Sequence, residues 1–262
     1  MKKYKYVVAA GCSFTLDPPY NNELLHLPKD GKSYGRLISE YFGSKYYELA
    51  DNGLSLQGMH RRTLEWCSKN KDKFKDTLII VGMTGLSRVE IWNNKWYGDH
   101  HSGFPWMSNS QFFQSTDPGA PNSKWKVSPW KKDWPEVERK NYFINFYNEN
   151  AVFFLAIQSI IGLQSFLKLN NIDHIFFDAL EPIDTYWEKF CDDKEDKLGH
   201  KLLFDNLVLR ENWYKHPQYE SLTDFTTKNI DMRISKDDNH PNKKAHKYWS
   251  ECLLEYMREL SI

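Results

Sequence analysis

A chain of 262 residues is long enough to bury one sizeable core, since single α/β domains commonly reach about 200 to 250 residues. Its 35 Lys and Arg balance its 35 Asp and Glu, so no net field draws it to nucleic acid or to an anionic membrane surface. Four widely spaced cysteines, Cys12, Cys67, Cys191 and Cys252, form no CxxC pair, which argues against a zinc ribbon or a disulfide framework.

In chain order, YKYVVAA (residues 4 to 10) has the composition of a buried first strand, ended by the small-residue turn GCSFT. The start MKKYKYVVAAG is basic but too short in its apolar run for a signal peptide, and no window is expected to reach the ~18 apolar residues of a membrane span. The expected compartment is therefore the cytoplasm, with no membrane partner. After a polar loop from Asp17 to Lys32, SYGRLISEYFG predicts a helix with Ser33 as cap, an apolar stripe of Leu37, Ile38, Tyr41 and Phe42, and Gly43 as the stop. YYELADNG predicts a second strand and turn. LQGMHRRTLEWCSKN predicts a helix with Met59, Thr63, Leu64 and Trp66 or Cys67 inward, and DTLIIVGMTG a third strand buried on both faces.

NENAVFFLAIQSIIGLQSFLKLNN has the length of a mostly buried helix, NIDHIFFDALEP follows as a fourth strand, and HPNKKAHKYWSECLLEYMRELSI closes the chain as an amphipathic helix bearing Ala245, Trp249, Leu253, Tyr256 and Met257. This alternation predicts a three-layer α/β/α sandwich with a mostly parallel, flavodoxin-like central sheet, built as one domain over residues 1 to 262. Two segments break the rhythm. Residues 92 to 147 hold six of the ten tryptophans without a strand or helix period, and predict an insertion after strand 3. Residues 184 to 236 predict a short helix near Asp184 to Asp192 and no strand.

Ligands of an open parallel sheet bind beyond the carboxyl ends of its strands. Those ends carry Gly11, Cys12 and Ser13, then Asp51, Asn52 and Gly53, then Gly82 to Gly85, then Asp178 and Glu181. Near the C-terminus KDDNHPN places Asp237 three residues before His240, the spacing of one turn, with Pro241 starting the last helix. A serine nucleophile needs a base, and an imidazole base needs a carboxylate to fix its tautomer. Cleaving an ester or amide also needs donors aimed at the oxyanion, for which Gly53 and Thr84 are candidates.

GCSFT, the Gly53 turn, GMTG and DDNHPN together resemble, in order and over the whole chain, the four blocks of the SGNH hydrolases, the GDSL-like esterases and lipases. The pairing of GCSFT with a late HPN and a following His is similar to a divergent branch common in bacteriophage and marine bacterial genomes, and for a phage-encoded chain this implies the host-cell cytoplasm or the virion as the compartment. The resemblance implies Ser13 as nucleophile, His240 as base and Asp237 as its carboxylate, with an oxyanion hole from Ser13, Gly53 and Thr84. It departs from the family where GDS becomes GCS, and where the third-block Asn and Asp become Thr84 and Gly85, so that Asn52 or Arg88 is an alternative donor.

The implied activity is removal of an O-acyl group, such as acetyl, from a small-molecule or glycan ester, without cofactor or metal. A carbohydrate O-acyltransferase with the same triad, and a binding module that has lost catalysis, are the alternatives. Trp92, Trp96, Trp106 and Arg88 are candidate substrate-binding residues, since an indole offers a flat apolar face with a polar N–H at its rim. Cys12 is the rival nucleophile, set against a small buried core residue. His100 and His101 with Asp99 lack a third ligand at recognisable spacing, and His246 is expected to face another side of the last helix. Oligomeric state is left open.

Overall fold

The computed structural model describes residues 2–18, 31–86, 90–92, 106–108, 149–184, 194–260 and 262. Its strands and helices in chain order are β1 (Tyr6–Ala10), α1 (Tyr34–Phe42), β2 (Lys45–Glu48), α2 (Leu56–Lys69), β3 (Thr77–Met83), β4 (Glu90–Trp92), β5 (Trp106–Ser108), α3 (Glu149–Leu169), β6 (Asp173–Asp178), α4 (Lys194–Leu207), β7 (Trp213–Tyr214), α5 (Leu222–Lys228), β8 (Arg233–Ser235), β9 (Asp238–Pro241) and α6 (Lys243–Glu259). Short 3₁₀ turns occupy Ser13–Thr15, Lys71–Asp76 and Ile230–Met232.

Five strands form one parallel sheet in the order β2-β1-β3-β6-β7. Because the first crossover goes to one side of β1 and the second returns to the other, the strand order reverses at β1 and β3. That switch point opens a crevice beyond their carboxyl ends.

The apolar strands divide residue by residue between two cores, as a pleat with period 2 requires. Val8, Ile79, Val81 and Phe176 face α2, α3 and α4, where Met59, Trp66, Ile157, Ile160 and Phe204 meet them. Val7, Leu78, Ile80, Ile175 and Phe177 face α1, α5 and α6, where Ile38, Phe42, Phe225, Trp249 and Leu253 meet them. The expected α/β/α sandwich is therefore the observed architecture.

Local signals act as their chemistry suggests. Ser33 accepts from the Arg36 amide at the start of α1, and Gly43 ends that helix at φ 64°, a left-handed conformation that needs no Cβ. Tyr41 is the exception within the expected stripe and lies exposed. In α3, Phe153, Ala156, Ile157, Ile160, Leu163 and Leu167 pack into the core. Over Ala151–Leu169 that helix is long and apolar enough to cross a membrane by length and composition, contrary to the expectation that no window is. Half of that stretch is buried inside the fold.

The segment after residue 184 departs from expectation. Its helix expected near Asp184 to Asp192 lies largely outside the described residues, while α4, α5 and the sheet strand β7 are present. With only two residues, β7 is too short to show a period, and it is held by the Phe176 amide donating to the Asn212 carbonyl at 2.8 Å. Most of the insertion at 92 to 147 also lies outside the described residues. Its described backbone includes the antiparallel β4–β5 pair, whose register sets Trp92 opposite Trp106.

Candidate active site

Ser13 opens a 3₁₀ turn directly after β1, and it is 8% exposed. The turn is tight because two glycines leave room for it. A Cβ on Gly11 would fall 1.8 Å from Thr15 Oγ1, and one on Gly82 would fall 2.7 Å from the Tyr34 hydroxyl. Into that space the Tyr34 hydroxyl donates to Thr15 Oγ1 at 2.8 Å. Just beyond, Asp17 accepts from the Ser33 amide at 2.8 Å and pairs with Arg36 at 2.6 Å. The turn is thus tied at two points to the start of α1.

Ser13 Oγ lies 2.8 Å from His240 Nε2. The Phe14 ring packs on the same imidazole, with centroids 4.6 Å apart. His240 sits in β9, which pairs with β8 across a two-residue turn at Lys236 and Asp237. The Asn239 carbonyl accepts from Thr226 Oγ1 at 2.7 Å, and α5, which carries Thr226, is anchored by the Thr223 amide and hydroxyl to the Ala179 carbonyl beyond β6, both at 3.0 Å.

The carboxylate on His240 is Asp238, which bonds Nδ1 and also accepts from the His240 amide at 3.0 Å. Asp237, expected in that place, is in the hairpin turn, where its amide donates to Ser235 Oγ at 3.3 Å. The physical reason for the shift from Asp237 to Asp238 is the local period. A spacing of three suits one helical turn, but this segment is a strand, in which residues two apart share a face. Pro241 correspondingly ends β9 instead of starting the last helix. That helix begins at Lys243, capped by the Asn242 side chain, which accepts from the Lys244 and Ala245 amides at 2.9 and 3.2 Å.

Burial pushes the His240 imidazole down to about 4, so at neutral pH the ring is uncharged. Its two partners then assign the tautomer: Nδ1–H donates to Asp238, and Nε2 accepts from the Ser13 hydroxyl. This is the arrangement that lets a hydroxyl lose its proton as it attacks.

Of the other expected site residues, Gly53, Thr84 and Cys12 follow β2, β3 and β1 of the sheet. Gly53 follows β2 with φ 71°, and its loop is tied to the Ser13 turn by the Asp51 amide donating to the Gly11 carbonyl at 3.2 Å. Thr84 directly follows β3 and is fully buried. Cys12 is buried in the core between the sheet and α1 and α6, while the next residue, Ser13, meets His240. Trp92 and Trp106 lie in the β4–β5 pair, whereas Arg88, Trp96, Asp99, His100 and His101 lie outside the described residues. Among the described residues no group of three or more His, Cys, Asp or Glu is placed to hold a metal ion.

Asp238, Thr15 and Tyr34 are contributors that sequence spacing alone does not single out. The available signal for Asp238 is the second Asp of KDDNHPN, two residues before His240.

No protein-family model and no curated protein sequence matches the chain. Solved structures similar to it include the psychrotrophic esterase EstA from Pseudoalteromonas sp., with TM-score 0.47 and 10% identity, covering 98% of each chain. TesA has TM-score 0.47 and 9% identity, covering 97% of this chain and 99% of its own. A lipolytic protein of the G-D-S-L family from Veillonella parvula DSM 2008 has TM-score 0.43 and 10% identity, covering 95% of this chain and 96% of its own.

Proposed function

We propose that this protein is a serine esterase of the SGNH type, with Ser13, His240 and Asp238 as its catalytic residues. The observation that carries the proposal is the hydrogen-bonded series from Ser13 Oγ to His240 Nε2 and from His240 Nδ1 to Asp238. Ser13 Oγ attacks the acyl carbon while its proton passes to His240 Nε2. Asp238 stabilises the imidazolium, which then gives that proton to the departing alcohol. Water, activated by the same imidazole, attacks the acyl-enzyme and releases the carboxylic acid and free Ser13.

The oxyanion is held by the amides of Ser13 and Gly53, with Thr84 as the third donor. The tryptophans of the segment that follows β3 in the sequence support an O-acylated carbohydrate as the substrate, because β3 itself ends at the crevice and indole rings suit the C–H faces of sugars. The test is labelling by a fluorophosphonate probe and turnover of p-nitrophenyl acetate and an acetylated xylo-oligosaccharide. Wild-type protein should react in all three assays and Ser13→Ala in none; folded wild-type protein inert in all three refutes the reading.

A further inference from the structure

His246 lies six residues after His240, on α6, with its side chain fully buried. Its Nδ1 accepts from the backbone amide of Tyr34, at 3.2 Å, 212 residues away. The proton of the neutral ring is therefore on Nε2, which has no hydrogen-bond partner among the described residues. Burial pushes this imidazole down to about 3, which keeps Nδ1 an acceptor at neutral pH.

Tyr34 has two further attachments. Its hydroxyl donates to Thr15 Oγ1 in the nucleophile turn, and its ring meets Phe177 of β6 edge to face, with centroids 5.2 Å apart. Gly11 and Gly82 are the residues that leave room for this contact. On the other side, α6 is fixed to the hairpin that bears His240. Asn242 caps α6 while donating to the Asp231 and Arg233 carbonyls at 2.7 and 2.8 Å, and the His246 amide donates to the Asn242 carbonyl at 3.0 Å.

Resting on the esterase reading, we infer that His246 is a positioning residue that, through the amide and hydroxyl of Tyr34, sets the nucleophile turn against the strand carrying His240. The series Thr15, Tyr34, His246, Asn242 runs behind the reacting pair and closes a ring with the direct Ser13–His240 contact. Besides this series, the turn and the hairpin are held together by the direct contact, the Phe14 ring and the attachments of the hairpin through α5 to the end of β6.

The experiment compares His246→Leu, His246→Asn and Tyr34→Phe in steady-state kinetics, together with ring ¹⁵N NMR of His240. Since misplacement by about 1 Å can cost about 100-fold, His246→Leu should lower kcat about 10- to 100-fold with KM within about twofold. His246→Asn, whose Oδ1 can take the place of Nδ1, should recover to within about threefold of wild type. Tyr34→Phe and His246→Leu act in series, so the double variant should lose little more than the worse single one. The His240 Nε2 resonance of His246→Leu should move toward that of Ser13→Ala.

Wild-type kcat in His246→Leu, failure of Asn to restore it, additive losses, or an unmoved His240 resonance in a folded variant each overturn the inference. If the wild type shows no Ser13-dependent turnover, the esterase reading fails separately, and the NMR comparison still decides whether His246 sets the Ser13–His240 contact.

Discussion

The nucleophile turn and the base hairpin meet at one hydrogen bond but are built differently. Ser13 is 8% exposed, on a turn fitted between two glycines and bonded to α1. The side chains of His240 and Asp238 are 30% and 29% exposed, on a two-stranded hairpin outside the main sheet. Core packing thus fixes the nucleophile, while strand register and the attachments to α5 and α6 fix the base. Damage to the turn should appear in stability as well as rate, and damage to the hairpin chiefly in rate.

The largest expected effect is at the contact itself. Ser13→Ala should reduce kcat by about 10⁴-fold or more while leaving the fold intact, measured by turnover and by thermal melting. Within the hairpin, two neighbouring aspartates should differ sharply. Asp238→Asn should lower kcat by about 10³- to 10⁴-fold, because an amide leaves the imidazolium unstabilised and admits the wrong tautomer. Asp237→Asn, in the turn, should stay within about threefold of wild type. Equal effects at the two positions would break the strand-register account.

On the turn side, Gly11→Ala drives a methyl group into Thr15 Oγ1. Overpacking of this kind costs about 1 to 3 kcal/mol, or roughly 2 to 4 °C in Tm for each kcal/mol in a chain near this size. Adding Thr15→Ala should restore part of the Tm by removing the Oγ1 clash, while the Cβ of residue 15 still lies 2.7 Å from the added methyl. It should not restore kcat, because the Tyr34 link is gone.

The pH dependence follows from the base. His240 must be neutral to accept the Ser13 proton, and burial pushes its titration from the usual 6.5 to about 4. The acid limb of kcat/KM should therefore lie well below about 6.5. A limb at about 6.5 would mean that water reaches the ring freely.

The same contrast explains what is legible in the sequence. Period and composition are enough to locate β1, β3 and β6, because Val7, Val8, Leu78 to Val81 and Ile175 to Phe177 are buried from both sides and so read as continuous apolar runs. GCSFT is legible as a small-residue turn because it follows such a strand, and Ser13 stands out in it only through the order of the four blocks along the chain. The hairpin is not legible. RIS and DNHP are too short to show a period and, among the described strands, pair only with each other, so tertiary attachments rather than apolar period define them. Reading DDNHPN as a turn leading into a helix selects Asp237, where a strand selects Asp238. The series through Tyr34 is illegible because it joins residues 15, 34 and 246, and sequence spacing carries no information about such distant contacts.

The smallest expected effect lies beyond the contact, at the end of β6. Asp178 is buried, its Oδ1 without a hydrogen-bond partner among the described residues, and burial raises its carboxyl to about 7 against the pull of Arg210 and Lys215, while Asp184 adds to the rise. The folded state therefore keeps a proton that the unfolded chain has already lost above about 3.9, and stability contributed by the neutral carboxyl falls as pH rises toward about 7. His240 and His246 act in the opposite sense. Their folded values lie below 6.5, so the unfolded chain takes up protons first and stability falls as pH drops below that value. Asp178→Asn removes only the first of these slopes. Its Tm should gain on wild type between about pH 5 and about pH 8, by an amount equivalent to about 1 to 3 kcal/mol, while the acid slope from the histidines persists. A constant Tm difference across that range would show that Asp178 does not titrate within it.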